Sequence, residues 1–246
     1  MNSVKYSIII CTKNEEESIA KVICSVPQNI RRHGEIIVVD SSKDYTPVIA
    51  ERLGAKVIKE KGKGKGRAMH TGVENSKGEI LIFLDGDGTD PPQFIPKLLK
   101  ALENSSLVLG SRNLKNFNQD DMNMRRIFSL YTPPVRQIFN LVGFKVKGDP
   151  LAGFRAMRRE DWDRLNLKSN DFTIEAEMNI NSFKMNFKVK EVPIPHLKRG
   201  GGLMKSKLVT DPKMWMKILR FVLKHVRDEK VKRTLKNFKI KYLPMY

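Results

Sequence analysis

The chain has 246 residues, 40% of them hydrophobic, enough to bury a sizeable core and too apolar for a disordered protein. Its formal charge of +19 calls for an anionic partner: nucleic acid, a phosphorylated substrate or an acidic membrane surface. No run of about 18 apolar residues occurs and no apolar signal core precedes the first strand pattern, so no membrane span is expected. The expected location is the cytoplasm, with any membrane contact peripheral, on the cytoplasmic face.

In chain order, residues 6–11, 35–40, 55–59, 80–84 and 107–110 are short apolar runs of strand length. Helical patterns near residues 16–25, 46–53, 65–76 and 92–102 lie between them. This alternation predicts βαβ units and an α/β fold: a Rossmann-like, mostly parallel sheet flanked by helices. Cys11 falls inside the first strand pattern and Cys24 has no partner at metal-site spacing, so reduced thiols are expected. In an open parallel sheet, ligands bind beyond the carboxyl ends of the strands. Three polar segments fall at such ends: Thr12-Lys13-Asn14-Glu15, Asp40-Ser41-Ser42-Lys43-Asp44 and Asp85-Gly86-Asp87-Gly88.

The third segment carries the most chemistry. Asp85 and Asp87 are separated by Gly86, which has no side chain, and no histidine or thiolate stands nearby in sequence. Closely spaced carboxylates at a strand end suit a hard divalent cation, Mg²⁺ or Mn²⁺, which leaves positions open for phosphate oxygens. The competing reading is an acidic turn, since Asp-Gly pairs are common turn formers. Upstream, the segment Lys61 to Arg67 alternates cations with glycines. Glycines let backbone amides approach an anion, and the helix start at Lys65 would add to that. Lys65 and Arg67 are therefore candidates for pyrophosphate contact, while Lys61 and Lys63 suit a solvated loop.

Beyond residue 112 the pattern weakens. Pro133-Pro134 is expected to break any single helix there. Glu175 and Glu177 open a predicted helix, and residues 189–194 alternate like an edge strand. A basic, glycine-rich stretch at 198–207 suits either a mobile lid over phosphates or a solvated linker. From Asp211 the chain reads as a basic amphipathic helix, a packing element or one lying on a membrane surface. The expected organisation is a catalytic domain over residues 1–210 and a helical tail over 211–246.

These residues together resemble family 2 glycosyltransferases of GT-A fold, and within them the dolichol- or polyprenyl-phosphate sugar synthases. The resemblance runs from about Tyr6 to Leu208. It rests on Ile-Ile-Cys-Thr-Lys-Asn-Glu at the first strand, the segment from Val39 to Thr46, the Asp85/Asp87 DxD motif and Leu109-Gly110-Ser111-Arg112. Later in the chain it adds Asp149-Pro150, Gly153-Phe154-Arg155, Glu177-Met178, the segment from Glu191 to Ile194, Arg199 and Ser206-Lys207-Leu208. The first three are common to many family 2 enzymes; the later set belongs more to the lipid-phosphate branch. Two departures stand out: Thr12 and Lys13 replace a usual proline, and Leu151-Ala152 replaces a common Thr-Ser.

The resemblance implies roles at matching positions. Thr12, Asn14 and Glu15 would contact the nucleotide sugar, Glu15 at its ribose, and Asp40 its base. Asp85, Gly86 and Asp87 would hold metal and diphosphate, while Arg112, Arg126, Arg199 and Lys207 would bind diphosphate or acceptor phosphate. The implied reaction is an inverting hexosyl transfer from a GDP-mannose- or UDP-glucose-type donor to polyprenyl or dolichyl phosphate. A phosphate nucleophile needs little base assistance; with a hydroxyl acceptor, Asp149, Glu175 or Glu177 becomes the candidate base. A family 2 enzyme with a small phosphorylated or saccharide acceptor is the alternative. Nucleic-acid binding is disfavoured, because no recognition-helix, zinc or RNP-like pattern occurs.

Overall fold

The computed structural model describes residues 4–60, 64–117, 122–141, 143–200 and 211–226. Its strands are β1 (Tyr6–Thr12), β2 (Gly34–Asp40), β3 (Lys56–Lys59), β4 (Ile80–Asp85), β5 (Leu107–Phe117), β6 (Arg155–Arg158) and β7 (Val189–His196). They form one sheet in the order β3-β2-β1-β4-β6-β5-β7. All neighbours run parallel except β6, which is antiparallel to both β4 and β5. The helices are α1 (Ile19–Cys24), α2 (Gln28–Arg32), α3 (Thr46–Arg52), α4 (Lys65–Glu74), α5 (Ile95–Leu102), α6 (Met122–Leu141), α7 (Arg159–Leu165), α8 (Ile174–Lys184) and α9 (Pro212–Val226).

The central strands are apolar throughout because helices cover both faces of the sheet. Successive side chains point to opposite faces, which divides the core in two. Ile9, Ile37, Val39, Leu81 and Phe83 pack toward α4, α7, α8 and α9. Ile8, Ile10, Val38, Ile82 and Leu84 pack toward α1, α2, α3 and α5. Register then sets the site: Thr12 stands level with Asp40, and Cys11 with Asp85. Three of the predicted polar segments thus emerge side by side at the carboxyl edge.

Some elements differ from expectation for local reasons. The first helix starts at Ile19 rather than near Glu16, because the Glu15 and Glu16 amides donate to Thr46 Oγ1 and Asp44. The turn there is tied to the next loop instead of starting a helix. Pro133 and Pro134 do not break α6, which runs through both. Each proline removes a helical hydrogen bond, but Thr132 and Phe139 are buried and α6 packs on β5 and α9. Tertiary packing outweighs the local cost. The short α2 and α7 were not expected, nor was β6 as a strand. The expected edge strand is found as β7.

α9 turns its apolar face inward. Met214, Ile218 and Val222 are buried in the same cluster as the sheet and α8. Both cysteines are free thiols, and burial pushes the Cys11 pKa up to about 12.

Candidate functional site

Two loops at the carboxyl edge are stitched together by short polar side chains. Asp40 accepts hydrogen bonds from Thr12 Oγ1 at 2.7 Å and from the Ser42 amide at 2.9 Å. Asn14 donates its amide to Ser42 Oγ (2.7 Å) and accepts from the Lys43 amide (2.9 Å). Its φ of +57° is one that Asn tolerates better than most residues. Burial alone would raise the Asp44 pKa, but bonds from Thr46 and the Glu16 amide hold it below the usual range. Thr12, Asn14, Glu15 and Asp40 are thereby held together at the carboxyl edge of the sheet.

β4 delivers Asp85 to the same edge. Lys65 Nζ, at the start of α4, lies 2.6 Å from Asp85 and 2.7 Å from Glu175 at the start of α8. Burial disfavours each of these charges, yet mutual attraction prevails: the Asp85 pKa is lowered and the Lys65 pKa raised. Asp87 accepts from the Thr89 amide (3.0 Å) and hydroxyl (2.7 Å), and its other oxygen meets the Arg199 guanidinium. Arg199 also lies 2.6 Å from Glu15. Backbone bonds from Leu197 to Thr89 and from Gly200 to Asp87 strap the end of β7 across this turn. Gly86 has no room for a side chain, because a Cβ there would collide with Thr12.

β5 and the 149–155 loop supply the next group of charged side chains. Arg112 lies 3.2 Å from Asp149, which is fully buried and also accepts from the Leu151 amide at 2.9 Å. Asp149 is therefore both turn cap and counterion. Arg155, fully buried, donates to the carbonyls of Ala152 and Pro150 and to Asn179, fixing the loop from beneath. Its burial lowers its pKa to about 10. Glu191 similarly receives the Lys147 and Gly148 amides. His196 is buried; burial and then Arg112 push its pKa to about 3, so it stays neutral.

Not every expected residue joins the cluster. Glu177 accepts from the Lys168 and Ser169 amides (2.8–3.1 Å) and anchors that loop to α8. Arg67 and Arg126 are exposed. Lys207 lies outside the described residues. Gly64 and Gly66, at the start of α4, are packed tightly: a Cβ on either would collide with the backbone at Asn170 or Ser169. The Gly66 and Arg67 amides already donate to the Asp171 and Asn170 carbonyls. Conversely, Asp90 belongs to the site without having been expected there. It is 1% exposed, neither carboxyl oxygen has a hydrogen-bond partner among the described residues, and its field comes from Arg112, Asp85 and Asp87.

A family model described as glycosyl transferase family 2 matches residues 7–165, which include this edge through Asp149 and Arg155. The chain belongs to glycosyl transferase family 2. Among family 2 relatives, a dolichyl-phosphate hexose transferase of Haloferax volcanii is 27% identical over 79% of this chain and 84% of its own length. Glycosyltransferase AglJ of the same organism is 32% identical over 79% of this chain and 64% of that protein. A dolichol-phosphate mannosyltransferase of Pyrococcus furiosus is 30% identical over 83% and 60%. The chain thus spans less than two thirds of these last two. The fold matches glucosyl-3-phosphoglycerate synthase of Mycobacterium tuberculosis in complex with phosphoglyceric acid: TM-score 0.72, 22% identity, 90% of this chain and 79% of that one. The same synthase has been solved with Mn²⁺, UDP and glucosyl-3-phosphoglycerate (TM-score 0.69). Mannosyl-3-phosphoglycerate synthase of Rubrobacter xylanophilus matches at TM-score 0.67 and 20% identity, over 92% of this chain and 75% of that one. These likenesses bear out the GT-A fold.

Proposed function

We propose that this family 2 enzyme transfers a hexose, with inversion, from a nucleotide sugar to a polyprenyl phosphate, using a divalent cation at Asp85 and Asp87. One observation carries the acceptor class: each acid considered as a base is already committed. Asp149 is paired with Arg112, Glu175 with Lys65, and Glu177 with a loop backbone. A nucleophile that needs no deprotonation, such as a phosphate monoester, fits a site whose acids are occupied.

The donor set also suits a hard cation. Both aspartates offer oxygen ligands and each already holds positive charge at contact distance. When bound, Mg²⁺ or Mn²⁺ would neutralise charge growing on the leaving diphosphate. Asp40 and Glu15 would hold the nucleoside; Lys65 and Arg199 would face the diphosphate. Arg112, held by Asp149, would orient the anionic acceptor, stabilising charge that is already localised there.

A membrane-surface location is supported by the outer face of α9. Lys213, Lys217, Arg220 and Lys224 are exposed there beside Met216 and Leu223, which are about half exposed. Among the described residues, no helix is long and apolar enough to cross a membrane.

The test is transfer of radiolabelled hexose from UDP- and GDP-hexoses, with Mn²⁺ or Mg²⁺, to polyprenyl phosphate in mixed micelles or to 3-phosphoglycerate. Label extracted with the lipid, and lost by a factor on the order of 10²–10³ in Asp87→Asn, is the expected outcome. Exclusive labelling of the small acid would overturn the lipid acceptor and leave the family intact. Activity retained in Asp87→Asn would overturn the cation site.

A further inference from the structure

Each aspartate of the strand-end pair shares its cation with a second carboxylate from another element. Lys65 bridges Asp85 and Glu175; Arg199 bridges Asp87 and Glu15. All six side chains are between 5% and 25% exposed, so solvent screens these charges less than it would at the surface. With every group ionised, each trio carries one net negative charge, and the two together match a divalent ion.

If Asp85 and Asp87 were the only partners of Lys65 and Arg199, an arriving divalent ion would leave both cations uncompensated beside like charge. The second carboxylates prevent this. Glu175 sits in the first turn of α8, whose neighbouring Ile174, Ala176 and Met178 are buried. The Glu15 amide is fixed to Thr46 Oγ1 at 2.9 Å. Both acids therefore stand on fixed frames.

We infer that Glu175 and Glu15 are positioning residues that keep Lys65 and Arg199 beside the donor diphosphate once Asp85 and Asp87 turn to a divalent cation. This rests on the donor reading above. Neither glutamate touches a reacting atom in this role; each acts through its cation. It also gives Glu15 a task separate from the ribose contact implied by family resemblance, and Glu175 one separate from proton abstraction.

The sign of one measurement separates this from a bystander role. Glu175→Gln removes a negative charge, so a bystander acid predicts tighter binding of an anionic diphosphate. A positioning acid predicts weaker binding. Calorimetric titration of UDP and of GDP, each with Mn²⁺, should show about tenfold weaker affinity in Glu175→Gln, with partial recovery in Glu175→Asp. In the Lys65→Met background, adding Glu175→Gln should cost nothing further, because the glutamate acts only through the lysine.

Equal or tighter binding in Glu175→Gln, or losses that add in the double variant, would overturn the inference. Should Lys65→Met fail to fold, as its melting curve would reveal, the same cycle on Glu15→Gln and Arg199→Gln, titrated with Mn²⁺ and inorganic pyrophosphate, which has no ribose for Glu15 to meet, decides by the same criteria. A wild type that binds neither nucleotide with Mn²⁺ would instead bring down the donor reading, and the positioning role with it.

Discussion

Asp90 pays an unusual cost for its place behind the paired aspartates. Burial raises its pKa from 3.8 to about 7, Arg112 opposes the rise, and Asp85 and Asp87 add to it. The sign follows directly. Between those two values the folded protein holds a proton that the unfolded chain releases, so stability falls as pH rises through that window. Asp90→Asn should therefore raise Tm by several degrees at pH 8 and much less near pH 4. Equal gains at both pH values, by calorimetry, would show that the carboxyl is already satisfied. Asp85 and Asp87 were legible in sequence because two acids around a glycine at a strand end are a local pattern. Asp90 was not, because its raised pKa comes first from burial that only the folded chain supplies. The same holds for Arg155, whose partners Pro150, Ala152 and Asn179 are assembled only by the fold.

At the scale of elements, six of the seven strands were readable from runs of β-branched and apolar residues, within a residue or two at most ends. β6 was missed, and β5 continues beyond Gly110 because β7 pairs with it as far as Phe117. α6 defeated local reasoning outright, since two prolines argue against a helix that packing nevertheless maintains. Gly64 and Gly66, at the start of α4, admit the backbone of a neighbouring loop, a contact that the sequence alone does not display. Gly66→Ala should accordingly destabilise the protein by about 1–3 kcal/mol, the range for overpacking a tight contact. Thermal denaturation checks this, and an unchanged Tm would mean that the 169–171 loop yields freely. Because the lysine side chain at the start of this helix contacts Asp85, loosening the contact should also weaken binding of Mn²⁺ with a nucleotide diphosphate.

On the scale of the whole molecule, α9 packs into the core of the sheet domain, one of the two roles its amphipathic pattern allowed. Its buried face belongs to the core, and Lys217 on its outer side forms an ion pair with Asp171, in the loop that presses on α4. Deleting the helix would therefore confuse membrane binding with folding. Single substitutions separate them. Ile218→Ala should cost about 2–5 kcal/mol, read by denaturant unfolding. Met216→Glu with Leu223→Glu should leave stability nearly unchanged but reduce sedimentation with acidic phosphatidylserine vesicles. Undiminished sedimentation would remove α9 from the membrane-facing reading. Composition announced an anionic partner for this chain, but a bulk charge of +19 could not distinguish phosphates in a cleft from headgroups at a surface.

The sheet also acts as a partition. Lys65 and Glu175 rise from helices seated on one apolar compartment, whereas Glu15 leads into a helix seated on the other. The two counterion trios consequently have separate foundations and meet only along the strand ends. Mutational drift that loosens one compartment should disturb one trio more than the other, so the proposed grip on a diphosphate would have two supports that can be tuned separately.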